Sequence, residues 1–128
     1  MARAVQRAGD AGKAKKCYRL AARRQLRPDA FIALARQEKR EGNAMRAAKL
    51  YSAMLARNER PVVACVGLAK LYEHELKNTE QALVYTRQAL LILSEPSLKQ
   101  SDAVQADRNA LQYRYARLRR KLAGEANS

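Results

Sequence analysis

The chain has 128 residues, 48% of them hydrophobic, and 26 Lys/Arg against 12 Asp/Glu leave a formal charge of +14. That length fits one domain with enough apolar content for a core, and the surplus of cations points to acidic partners, a peptide or a phosphate backbone. No run of about 18 apolar residues occurs and Met1-Ala-Arg is not followed by a signal-type apolar stretch, so the expectation is a cytoplasmic chain with no membrane partner.

In chain order, residues 2–8 make a short first helix, as if the chain entered partway through a repeat of a longer protein. Gly9 supplies a tight turn and Asp10 an N-cap for a helix over 11–26. Pro28 and Pro61 sit where a helix tolerates proline, in the first turn, where the N–H has no intrahelical partner. They open helices over 29–41 and 62–76, with apolar stripes Phe31, Leu34, Ala35 and Cys65, Leu68, Ala69, Tyr72. Gly42 and Asn43 turn the chain into 44–57, and Asn78 with Gln81 forms a capping box for 79–93. Ser94-Glu95-Pro96-Ser97 then breaks the pattern before a helix over 102–123. Its stripe is Val104, Leu111, Tyr115, Leu118 and Leu122, with Arg114, Arg117, Arg119, Arg120 and Lys121 mostly off the stripe and expected in water. No segment alternates as a half-buried strand does, so the fold class is all-α.

Three segments superimpose: GDAGKAKKCYRLA from Gly9, GNAMRAAKLYSAM from Gly42 and NTEQALVYTRQAL from Asn78. Ala14, Tyr18 and Ala21 return as Ala47, Tyr51 and Met54, then as Ala82, Thr86 and Ala89, with Tyr85 one place before the aromatic position. A small residue, an aromatic and a second small residue, four and three apart, share one helix face, where Ala admits a neighbouring helix and Tyr fills the gap. A period near 34 with these positions resembles the tetratricopeptide repeat. The resemblance implies a right-handed superhelix of antiparallel helix pairs, with repeats over 1–96 and a capping helix and tail over 97–128. Ala14, Tyr18, Ala47, Tyr51, Ala82 and Tyr85 are then expected in the core, and the last helix is expected on the second helix of the third repeat.

Charge is uneven along this array. Residues 1–27 hold nine Lys/Arg against Asp10 alone, whereas residues 61–100 are balanced at four of each sign. Arg3 and Arg7, Arg36 and Arg40, and Lys70 and His74 recur at the same repeat positions, off the packing stripes. Stacked repeats align them as two basic rows, Arg3/Arg36/Lys70 and Arg7/Arg40/His74, along a concave groove, with Ile32 and Val66 one turn before them. Such a groove suits an acidic or extended protein segment, and alternatively a phosphate backbone. Lys15, Arg19, Arg23 and Arg27 make a second basic stripe, on the convex side.

Reactive chemistry is sparse. Cys17 and Cys65 lack metal-ligand spacing and read as small packing residues, and His74 has too few soft ligands near it for a metal site. Glu73-His74-Glu75 places its members in different directions on a helix, and there is no phosphate-cradling loop or nucleophile elbow. The expectation is a non-catalytic scaffold with no cofactor.

A narrower resemblance comes from LAKLYEHELKNTEQAL at Leu68 and LQYRYARLRRKL at Leu111. These segments, in this order and spacing, resemble the carboxy-terminal helical-repeat region of YprB-type bacterial proteins, in which that region follows an RNase H-like exonuclease domain. Tyr72, Glu73 and His74, and the run from Arg117 to Leu122, carry most of the match; Tyr113 stands where that family tends to have His. The resemblance implies an accessory module, with the nuclease's acidic metal ligands in a domain outside these residues and nucleic acid as the alternative ligand.

Overall fold

A computed structural model describes residues 27–98 and 100–127 of the chain. Every regular element among them is helical: α1 (Pro28–Arg40), α2 (Ala44–Ala56), α3 (Pro61–Lys70) continued by a π-turn (Leu71–Glu75), α4 (Thr79–Leu93) and α5 (Asp102–Asn127). The segments over 2–8 and 11–26, with Arg3, Arg7, Ala14, Cys17 and Tyr18, lie outside the described residues. Among the described residues, no helix is long and apolar enough to cross a membrane.

Local chemistry explains the boundaries. Pro28 and Pro61 occupy first-turn positions of α1 and α3. Gly42 takes φ +83 in the turn before α2, a conformation open to a residue without Cβ. Asn43 is the N-cap of α2 but its side chain makes no capping bond, so the expected cap is absent there. Asn78 does cap: its Oδ1 accepts from the Gln81 N–H at 3.1 Å. Arg60 sits at φ +43 directly before Pro61, a costly place for a side chain, and pairs with Asp29 of α1 at 2.5 Å.

Each helix packs chiefly on its neighbours in sequence, α1 on α2, α2 on α3, α3 on α4 and α4 on α5. Two apolar clusters fill the seams. Phe31, Leu34, Ala35, Ala47, Tyr51, Met54, Leu68 and Leu71 close the first, between α1, α2 and α3. Cys65, Ala89, Leu93 and Leu111 centre the second, between α3, α4 and α5. Ala47 and Ala82, at 0% exposure, let helices approach closely, as their recurrence predicts. Tyr85 departs from expectation: it is half-buried and stacks on Tyr72 with ring centroids 5.7 Å apart, while Thr86 takes the buried position. Thr86 stays there because its hydroxyl donates to the Ala82 carbonyl oxygen at 2.8 Å.

The π-turn accounts for a change of period. Leu34 and Ala35 recur as Leu68 and Ala69, 34 residues on, whereas Ala47 and Met54 recur as Ala82 and Ala89, 35 residues on. One extra residue must therefore be absorbed between α3 and α4. It widens the last turn, where the Leu76 N–H donates to the Leu71 carbonyl at 2.9 Å, five residues back. The widened turn buries both Leu71 and Glu73.

α5 docks on α4 with Leu111 and Leu118 buried and Val104, Tyr115 and Leu122 half-buried. Leu111 and Val104 share one apolar cluster with Val62, Cys65 and Val66 from the first half of α3, and Arg114 and Arg117 meet Glu73 beyond its end. α5 therefore runs in the same direction as α3. The expectation that its arginines all stay in water fails at Arg114 and Arg117, which turn to the buried carboxylate.

Candidate functional site

The parallel course of α1, α3 and α5 leaves a cleft of about 710 Å³ between them. α3 supplies the floor with Val62, Val63, Val66, Gly67 and Lys70, joined by Leu71; α1 contributes Arg36 and Lys39, and α2 contributes Tyr51 from beneath. The opposite wall is α5, with Asp107, Ala110, Leu111, Tyr113, Arg114 and Arg117. Five cations thus face one carboxylate across a largely apolar floor. Val63 and Tyr113 remain exposed within it, Tyr113 at 70%.

The cleft is built by a tight contact at Gly67. A Cβ there would lie 2.5 Å from Tyr51 Cζ, so the absence of a side chain on α3 lets the Tyr51 ring slide beneath the helix. The ring in turn presents its hydroxyl to Arg36, which donates a hydrogen bond to it. Burial raises the Tyr51 pKa above its ordinary 10.0, against the lowering pull of the Arg36 charge and hydrogen bond. Tyr51 is therefore a neutral phenol that orients Arg36. Cys65, behind the floor, is pushed up to about 11 by burial and stays a thiol, a packing group rather than a nucleophile.

At the other end of the wall lies an ionic cluster. Glu73, 1% exposed, accepts from Arg117 Nη1 at 2.5 Å and Nη2 at 2.8 Å, and from Arg114 Nη1 at 3.0 Å. Lys121 Nζ lies 3.9 Å away and His74 Nε2 3.5 Å away. Burial alone pushes the Glu73 carboxyl up, but the Arg117 hydrogen bonds and the charges of Arg117, His74 and Arg114 outweigh it and hold the pKa below the ordinary range. The same hydrogen bonds raise the Arg117 pKa. Glu73 is thus a fixed anion that arranges two guanidinium groups on the cleft wall.

Of the groove residues read from the sequence, Arg36 and Lys70 line this one cleft. Arg40 and His74 do not: both are exposed, and His74 stands beside Glu73 instead. Arg3 and Arg7 lie outside the described residues. The repeat pattern alone did not find Lys39, Tyr51, Gly67, Arg114 or Arg117, although Lys39 lies one helical turn from Arg36 and the Arg114/Arg117 spacing already put both on one side of α5.

No family model, curated protein or solved structure matches this chain.

Proposed function

We propose that this chain is a non-catalytic interaction scaffold, a tetratricopeptide-like right-handed array, whose basic cleft takes an acidic, extended protein segment. One observation carries the reading: Arg36, Lys39 and Lys70 border an apolar floor of Val62, Val63 and Val66. A peptide offers both the carboxylates and the apolar side chain that such a surface accepts, and it lies along a groove between parallel helices without adding a strand. A phosphate backbone satisfies the cations but leaves the floor uncovered. Tyr113 and Val63, exposed in the free protein, are the natural seats for an apolar anchor between two acidic residues.

The test is equilibrium binding of a fluorescent Asp/Glu-rich peptide with a central Leu or Phe, compared with single-stranded DNA of equal charge. The peptide is expected to bind more tightly than the DNA. Arg36→Ala with Lys70→Ala removes two charge-assisted contacts and is expected to weaken it by about tenfold or more. Arg46→Ala with Lys49→Ala, on exposed α2 positions away from the cleft, is expected to change little. Preference for DNA in the same assay transfers the cleft to backbone-directed nucleic-acid binding.

A further inference from the structure

We propose that α5 is a hinged wall of the cleft, clasped shut by the buried Glu73 carboxylate through Arg114 and Arg117, so that Glu73 is the positioning residue of the cleft's second cationic wall. The opening of α5 stands independently of what the cleft takes; the control of ligand access by that opening rests on the peptide-binding reading.

The attachment of α5 is thin for its length. It is 26 residues long, yet among its described side chains only Leu111 and Leu118 are buried. A helix with few buried apolar side chains opens at a lower free energy than the body it rests on. Polar ties supply the rest: Arg108 Nη2 donates to the Leu93 carbonyl at 2.6 Å, Thr79 donates to Glu125 at 2.8 Å, and Glu73 binds the two arginines.

The clasp is built to release as well as to hold. Among the described residues, every cation on Glu73 apart from adjacent His74 comes from α5. A buried carboxylate stripped of its partners is strongly unfavourable while it stays buried. When α5 swings away, however, water replaces the arginines, and much of the cost of breaking the pair is returned. The ionic cluster therefore sets the geometry of the closed wall and adds a modest share to its stability. Six of the cleft's lining residues leave with α5, including Tyr113 and both arginines. A ligand that touches both walls binds the closed form alone, and by reciprocity it must hold α5 shut.

Native-state hydrogen exchange on the full chain tests this. In the wild type, α5 amides are expected to exchange through an opening that leaves α1 to α3 protected. Glu73→Gln is expected to speed α5 exchange by on the order of tenfold, with α1 and α2 unchanged, and to have no such effect when Arg114 and Arg117 are both Gln. The proposal is overturned if α5 exchanges only together with the whole molecule, a result that needs no variant to fold. It is also overturned if Glu73→Gln accelerates all helices equally. In a second arm, the acidic Leu-containing peptide is expected to slow α5 exchange by the factor 1 + [peptide]/Kd, in the wild type and in Glu73→Gln alike. Opening without any peptide effect overturns the gating and the peptide-binding reading and leaves the clasp standing. Peptide binding with no separate opening of α5 overturns the clasp and leaves the peptide reading.

Discussion

The two ends of the described array are held together by different physics. Between α1, α2 and α3 the seam is mostly apolar and periodic: Phe31, Ala35, Ala47 and Met54 are at 0% exposure, although Glu38 of α1 is buried as well. Between the end of α3 and α5 the seam turns on one buried carboxylate and two arginines. Apolar burial is non-directional and tolerates small shifts, whereas a desolvated carboxylate must find its donors or impose its full penalty. The first seam therefore makes the body of the molecule, and the second fixes where one helix sits against it.

Substitutions can break that contrast, beginning with the largest effects. Phe31→Ala empties a fully buried site and is expected to cost about 3–5 kcal/mol in chemical denaturation, with nothing at a second site restoring it. Arg114→Ala with Arg117→Ala is expected to cost about 3 kcal/mol, the low end for an orphaned buried charge because both guanidinium groups already reach water. This loss, unlike the first, should be largely rescued by Glu73→Met, which removes the stranded charge. Equal rescue of both, or of neither, would erase the distinction between the two seams.

Smaller changes sharpen it. Ala47→Leu forces volume into the close contact of α2 and is expected to cost about 1–3 kcal/mol. Gly67→Ala gains helix propensity but drives a methyl into the buried Tyr51 ring, so a net loss of about 1–2 kcal/mol is expected while the Tyr51 to Arg36 contact and peptide affinity fall. Acid should act on the second seam through Glu73. The folded Glu73 pKa lies below its ordinary 4.5, so its stabilisation is fully present above that value and is lost as pH falls through the lower folded pKa. Glu73→Gln should flatten this part of the acid profile of α5 without altering the seam of α1 and α2. At the small end, the Asp29 and Arg60 pair is exposed on both sides, and removing it should cost under about 1 kcal/mol.

How far each seam could be read in advance follows from the same difference. Apolar recurrence placed α1 to α5 within a few residues and named Ala47, Tyr51, Leu68 and Ala82 as core, because burial depends on face and face depends on spacing. The shift of period from 34 to 35 was visible as well. Its absorption in a π-turn was not, since an extra residue fits a loop or a widened turn equally well until tertiary contacts choose. Glu73 consequently read only as one of three adjacent residues pointing in different directions on a helix, and the arginines of α5 as a wet face. Arg36 and Lys70 could be brought together by repeat arithmetic, but Arg114 and Arg117 reached the cleft through a contact across 41 and 44 residues that no local pattern encodes.

The most direct test of the cleft as the binding surface is a backbone amide NMR titration with the acidic Leu-containing peptide. The account predicts shifts at Arg36, Val63, Val66, Lys70 and Tyr113, saturating together, with the outer α4 positions Val84 and Leu91 unmoved. Shifts centred on Val84 and Leu91, with the cleft residues silent, would contradict it.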